Sequence, residues 1–225
     1  MFSDLSIINS YFYFSSCFVV ILNLYAKILY MLEDKEKIVE ILQKGGVIAY
    51  VTDTVWGLGC LPNNEVAVRK IYDIKKREAQ KPLILMSNEV YNLLDYVKPI
   101  PKVGQKLIKK YFPGALTVVT DKSDKTPDYI TSNMPTVGIR VPDNEIFRQI
   151  CEAIPEHVLA TTSANLSHQP SAKTYEQAVE NMSGLADIVI PDYGHVAKGL
   201  ESTVVGVMND ELRIFRQGAI NIDLD

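Results

Sequence analysis

Short apolar runs alternate with amphipathic helical segments along most of this chain, and that alternation admits few folds. Val47–Val51 reads as a buried strand, as do Pro82–Met86, Leu116–Thr120, Val137–Val141, Val158–Thr161, Ile188–Ile190, Thr203–Val207 and Leu212–Phe215. Ile38, Ile41 and Leu42 have helical spacing, and Gly45-Gly46 ends that helix. Further helices are expected over Asn64–Lys76, over Lys102–Tyr111, from an Asp143 cap to about Ile154, and after Thr174, which makes a capping box with Gln177. Ser87 is placed to cap a helix after the strand that ends at Met86. Strands interleaved with helices require an α/β layer fold. The last strands follow one another without helices between them, so the sheet is expected to be mixed.

The apolar share, 47% of 225 residues, is unevenly spread. Leu5 to Ala26 carries no charge and is long enough for a membrane span, which needs about 20 residues. Ser6, Asn9, Ser10, Ser15, Ser16 and Asn23 are costly in lipid, and a signal peptide opens on basic residues where this segment has Asp4. Met31-Leu32-Glu33-Asp34 begins an ordinary amphipathic helix, which favours a translation start at Met31. The globular unit is therefore expected over residues 31–225. Residues 1–30 are read as a spurious upstream start, a targeting segment or an anchor. The first reading gives a cytoplasmic protein; the others give an organelle-targeted or membrane-tethered one.

A formal charge of −4, from 23 basic and 27 acidic residues, argues against a general nucleic-acid binder, which needs a basic surface. Any anion site must be a local cluster. Cys17, Cys60 and Cys151 are far apart and odd in number, and His157, His168 and His195 have no metal-ligand spacing. Buried free thiols in a reducing compartment are expected, with no metal held by protein side chains.

Five stretches carry possible chemistry. Val51-Thr52-Asp53-Thr54-Val55-Trp56-Gly57-Leu58-Gly59 follows a strand, where α/β folds bind ligands; Thr52 and Thr54 fall on one face and offer hydroxyls. The plainer reading of this stretch is a tight turn whose Asp and Thr bond their own backbone. Arg69, Lys70, Lys75, Lys76, Arg77 and Lys81 face only Asp73 and Glu78 over residues 69–81. That suits polyphosphate, or simply a solvated helix end. Arg140 sits inside an apolar strand and needs an anionic partner, a structural carboxylate or a substrate. Leu159 to Ser167, continuing to Pro170-Ser171, turns from an apolar strand into a dense run of hydroxyls and an amide, suited to sugar, phosphate or amino-acid groups. Glu201-Ser202-Thr203 and Arg216-Gln217-Gly218 supply further hydroxyls and a last Arg.

Read in order, the blocks VTDTVWGLG, KKREAQKPL, PGALT, VGIRVP, SANLSHQPS, STVV and RQG resemble the YrdC/TsaC family of threonylcarbamoyl-AMP synthases over about residues 45–218. Seven blocks in the family's order are specific where one would be chance. The resemblance implies a twisted open mixed β-sheet with flanking helices around a positively charged cavity. It implies a nucleotidyltransferase reaction in which L-threonine, bicarbonate or CO₂, and ATP with Mg²⁺ give threonylcarbamoyl-adenylate and pyrophosphate. The product supplies tRNA modification through a threonylcarbamoyl transferase complex, the downstream partner.

The resemblance gives Lys75, Arg77, Ser163 and Asn165 as catalytic residues. It puts Arg77, Lys81, Thr117, Ser163, Ser171 and Arg216 around ATP, and Thr54, Thr161 and Ser202 around threonine. Thr52 and Arg140 are candidate cavity members. No covalent nucleophile is implied, and none of the histidines is expected to act. Departures from the family pattern are Val51, Trp56, Glu78 and Gln217, together with His168, which bears on the loop after Asn165. The chain ends soon after Arg216, so the extra C-terminal domain of longer relatives is not expected. The alternative is a binding module for double-stranded RNA or tRNA that makes no adenylate; the net charge argues against RNA as the main ligand.

Overall fold

Side-chain caps and apolar stripes fix the helices of the computed structural model, which describes residues 35–76, 81–167 and 169–223. The expectations placed on residues 1–30, on Met31 and on Cys17 lie outside the described residues. Helix α1 covers 35–43 and stops at Gly45 and Gly46, whose N–H groups bond to the carbonyls of Leu42 and Ile41. In α2 (Glu65–Lys75) the Asn64 side chain accepts from the Ala67 N–H, and Ala67, Val68, Ile71 and Ile74 are buried. The other helices are α3 (Lys102–Tyr111), a short α4 (Asp128–Thr131), α5 (Glu145–Ala153) and α6 (Tyr175–Met182). No helix among the described residues is long and apolar enough to cross a membrane.

The strands are β1 (Ile48–Tyr50), β2 (Gly57–Cys60), β3 (Ile84–Ser87), β4 (Leu116–Asp121), β5 (Thr136–Arg140), β6 (Val158–Ser163), β7 (Ile188–Val189), β8 (Thr203–Met208) and β9 (Glu211–Arg216). They form one sheet in the order β7-β1-β2-β6-β3-β5-β4-β8-β9. Pairs β7–β1, β3–β5 and β4–β8 are parallel, and the remaining neighbours are antiparallel. The sheet is mixed, as the helix-free run of late strands implies.

Register decides where a site can be. Cross-strand partners share a face. The pairs Tyr50–Gly57, Gly57–Ser163, Gly59–Thr161, Thr161–Ile84, Ile84–Gly138 and Met86–Arg140 therefore collect these residues on one side. Thr117 and Val204, paired with each other, join them through β4. The opposite face is mostly apolar: Ala49, Leu58, Cys60, Ala160, Leu85, Ile139, Val118 and Val205 are all buried there, and Thr120, Thr162 and Thr203 share that face.

Four local expectations change. Gly57–Cys60 is a strand, not a glycine turn. Its two glycines are weak strand formers alone, but the Tyr50 ring lies over them, and a Cβ on Gly57 would stand 2.8 Å from Tyr50 Cε2. Asn144, not Asp143, caps α5, accepting from the Phe147 N–H at 3.0 Å. Ser87 is the last residue of β3; its hydroxyl accepts from the Glu89 N–H in a turn before the 3-10 helix Tyr91–Tyr96, which has no side-chain cap. Thr174 does cap α6, but Gln177 reaches back to the Lys173 N–H rather than that of Thr174. Cys60 and Cys151 are free and buried, and burial pushes the Cys60 thiol up to about 12.

Candidate active site

A cleft of about 290 Å³ opens on the polar face of the sheet, lined by residues from β2, β3, β4, β5, β6 and β8 and the segments that flank them. A Cβ on Gly138 would meet Ile84 Cγ2 at 2.7 Å and Thr117 Cγ2 at 3.3 Å, so glycine here lets these two lining side chains stand close on either side of β5. Val55, Trp56, Pro82, Ile84, Met86 and Val204 make the apolar part of the wall, with the Trp56 ring 5.8 Å from that of Tyr175.

Lys75 anchors one corner. It is 4% exposed, and its ammonium donates to Ser163 O at 2.5 Å, Asn165 O at 2.8 Å and Asn165 Oδ1 at 2.9 Å. Its own carbonyl accepts from the Ser167 N–H at 3.1 Å. Ser163 Oγ donates to Asn165 Oδ1 at 2.6 Å, and Asn165 Nδ2 donates to the Gln169 carbonyl. The last turn of α2 thus grips the loop that follows β6 from both sides of one residue. With three acceptors on this loop among the described residues, Lys75 shapes the loop and is not a loose cation.

Arg140 anchors the other corner. It is 2% exposed and forms a buried ion pair with Asp53 (Nη2 to Oδ1, 2.5 Å). Nε donates to Gly114 O at 2.9 Å and Nη1 to Thr54 Oγ1 at 2.8 Å. Burial pulls the guanidinium below its ordinary pKa and Asp53 opposes the fall. Of the two partners open from sequence, the structural carboxylate is the one present.

Proton directions follow from this corner. Thr52 Oγ1 donates its single proton to Val55 O at 2.6 Å. The 3.0 Å contact between Thr52 Oγ1 and Thr54 Oγ1 must then be donated by Thr54. Thr54 has its proton engaged and one lone pair taken by Arg140, so it meets a ligand as an acceptor. The tight-turn reading of this stretch holds for its threonine, because Thr52 Oγ1 accepts from the Thr54 N–H at 3.2 Å, but not for Asp53, whose carboxylate pairs with Arg140.

On the far side, Thr117 Oγ1 and Ser202 Oγ lie 2.8 Å apart, and Arg216 grips the Ser202 carbonyl through Nε (3.1 Å) and Nη2 (2.8 Å). Arg216 is exposed, but burial still lowers its pKa, against the pull of Glu201. Glu201 is a cleft residue the sequence reading passed over; its only signal was adjacency to Ser202. Burial pushes its carboxyl up, but its own backbone N–H, the Ser171 hydroxyl, Arg216 and Lys173 outweigh that and leave it below the usual value.

Of the expected site residues, Thr52, Thr54, Lys75, Lys81, Thr117, Arg140, Thr161, Ser163, Asn165, Ser202 and Arg216 all line this cleft. Lys81 is exposed. Ser171 stands behind it, donating to Glu201 Oε1 at 2.9 Å. Arg77 and His168, and the roles read for them, lie outside the described residues.

The family model for Sua5, YciO and YrdC, described as telomere recombination, matches residues 40–218. A threonylcarbamoyl-AMP synthase of Pyrococcus abyssi is 34% identical over 81% of this chain and 53% of its own length. A putative threonylcarbamoyl-AMP synthase of Methanocaldococcus jannaschii is 33% identical over 84% of this chain and 90% of its own. The chain thus spans about half of the first relative and most of the second. The crystal structure of P. abyssi Sua5 complexed with L-threonine superposes with a TM-score of 0.76 at 33% identity, over 82% of this chain and 54% of that one.

Proposed function

We propose a function from one premise: this chain belongs to the family of Sua5, YciO and YrdC. The reading is L-threonylcarbamoyladenylate synthesis, a nucleotidyl transfer in which L-threonine, bicarbonate or CO₂, and ATP give threonylcarbamoyl-AMP and pyrophosphate. One observation carries it. Seven blocks scattered from residue 51 to residue 218 each contribute a residue to a single cleft: Thr54, Lys81, Thr117, Arg140, Asn165, Ser202 and Arg216. The threonine complex of the P. abyssi relative supports an amino-acid substrate.

The chemistry asks for two things. Threonine's amine must take up CO₂, and the resulting carbamate must attack the α-phosphorus of ATP. Both reactants are anionic, so fixed donors and cations must offset their repulsion and hold the attack in line. Thr54, fixed as an acceptor, suits an N–H of threonine. Thr161 and Ser202 complete that end, with Arg140 holding Thr54 in place. Lys81, Arg216 and the motif residue Arg77 suit the phosphates, with Thr117 beside them. Ser163 and Asn165, oriented by Lys75, are the groups read as positioning the reactants. Ser171 acts through Glu201.

Glu201 is the single carboxylate among the described lining residues, too few oxygen ligands for a protein-held Mg²⁺. That fits an ion arriving on the nucleotide's phosphates, where it neutralises charge. The product's onward use, through a transferase complex acting on tRNA, belongs to the same proposal. The test is pyrophosphate release from ATP by residues 31–225. Release should require both threonine and bicarbonate, and turnover that is indifferent to omitting threonine overturns the reading.

A further inference from the structure

Thr203 and Gly218 belong to the STVV and RQG blocks, which feed the cleft through Ser202 and Arg216, yet neither lines it. Thr203 begins β8 with its side chain on the face of the sheet away from the cleft, and it is fully buried. Its hydroxyl makes three hydrogen bonds, all to the segment that follows Arg216. It donates to Ile220 O at 2.5 Å and accepts from the N–H groups of Gly218 (3.0 Å) and Ile220 (3.3 Å). One proton and two lone pairs are thereby all used.

Gly218 stands against the two residues before Thr203. A Cβ there would lie 2.3 Å from Glu201 O and 2.5 Å from Ser202 C, backbone atoms that cannot swing aside, so only glycine allows this approach. The next residue closes the contact, with the Ala219 N–H donating to Glu201 O at 2.9 Å. Gln217, one of the departures from the family pattern, adds a second donor to Ile220 O at 2.7 Å. Farther on, the Asp223 N–H donates to the Tyr111 hydroxyl at 2.9 Å, and that hydroxyl donates to Asp223 O at 3.0 Å. The segment is thus pinned at both ends, on Thr203 and on the last residue of α3.

What this segment holds is one end of the cleft. Residues 190–202, between β7 and β8, form neither helix nor strand, so Ser202 enters the sheet from an irregular loop. Its hydroxyl meets Thr117, and its carbonyl takes two donors from Arg216. Arg216 and Gly218 are two residues apart, so one tie to Thr203 sets both the Ser202 peptide and the guanidinium that grips it.

We propose that Thr203 and Gly218 form a latch, positioning Ser202 and Arg216 for their ligands from outside the cleft. The identity of those ligands rests on the synthase reading; the latch does not. The first arm of the test is therefore independent of turnover. The Arg216 Nε–H signal in nitrogen-15 NMR should exchange with solvent several-fold faster in Thr203→Val than in the wild type, and at the wild-type rate in Thr203→Ser, which keeps the hydroxyl. The second arm is steady-state pyrophosphate release per folded protein. Thr203→Val should raise the KM for threonine and for ATP ~10-fold each, since displacing Ser202 and Arg216 weakens about one ligand hydrogen bond apiece. The kcat should change far less, and Thr203→Ser should restore both KM values. A residue that only stabilised the fold would lower the amount of active enzyme and leave both KM values alone. Gly218→Ala, which pushes on the Glu201–Ser202 peptide without removing a hydrogen-bonding group, should raise the same two KM values and speed the same exchange, and serves if Thr203→Val does not fold. The latch is overturned by unchanged Arg216 exchange in folded Thr203→Val, or by wild-type KM values in that variant. A wild-type protein that releases no pyrophosphate overturns the synthase reading instead, and the exchange arm then decides the latch.

Discussion

The two buried cations of the cleft make opposite use of similar positions. Arg140 meets a carboxylate, Asp53, and also donates to Thr54, whose own proton goes to Thr52 because Thr52 donates to Val55 O. Lys75 meets the carbonyl oxygens of Ser163 and Asn165 and the amide oxygen of Asn165, and through them fixes the path of a loop. Removing either cation strands its acceptors, but a buried carboxylate tolerates this far less well than an amide oxygen. The Arg140 corner should therefore fail first in stability, and the Lys75 corner first in turnover.

The sharpest break in this comparison is Arg140→Met. It leaves Asp53 buried and unpaired and should destabilise the fold by ~3–5 kcal/mol, read by urea unfolding. The double variant with Asp53→Asn should lose clearly less than the two single losses added together. Strict additivity would mean the pair does not act as a unit.

Lys75→Met should behave differently. Pyrophosphate release should fall ~10²–10³-fold, in the range of lost preorganised charge and donors, with a smaller loss of stability than Arg140→Met. Near-normal turnover would show that the loop keeps its shape without the ammonium.

Thr54→Val refines the Arg140 corner. It removes the acceptor proposed for threonine and should raise the threonine KM ~10-fold, about one hydrogen bond, while the KM for ATP stays near normal. An equal rise in both would misassign Thr54.

The smallest effect concerns Glu201. Its carboxyl is lower in the folded protein than when unfolded, so it adds stability above the ordinary carboxylate range. That increment is lost as pH falls through the lowered value. Ser171→Ala removes one of the donors that lower it and should shrink the acid-side loss in a pH series of melting temperatures. An unchanged slope would show that Ser171 does not tune Glu201.

Much of this was legible in the chain. The period of apolar residues and the caps located the longer helices but not the short α4, and all the expected strands appear with shifted ends. The seven blocks held every described cleft residue named in advance except Thr161, two positions before the SANLSHQPS block; Ser171, inside that block, is one contact removed from the cleft. What stayed hidden has common causes. β2 was missed because Gly57 and Gly59 have low strand propensity, and only the Tyr50 ring across the sheet makes them fit. Asp53 could not be matched to Arg140, because they stand 87 residues apart in sequence and local pattern carries no such contact. Lys75 and Lys81 look alike as letters, but one is buried and grips a loop while the other is exposed.

The sequence by itself determined the α/β alternation, the mixed sheet and the residue types that chemistry on anions requires, because these follow from periodicity and side-chain inventory. Only the tertiary structure decided which face of the sheet collects them, since strand register sets the side on which every alternate residue lies. It also decided the direction of each hydroxyl proton, which depends on partners brought together from across the chain. Thr54 is an acceptor because Arg140 and Thr52 surround it, and no spacing along the chain encodes that.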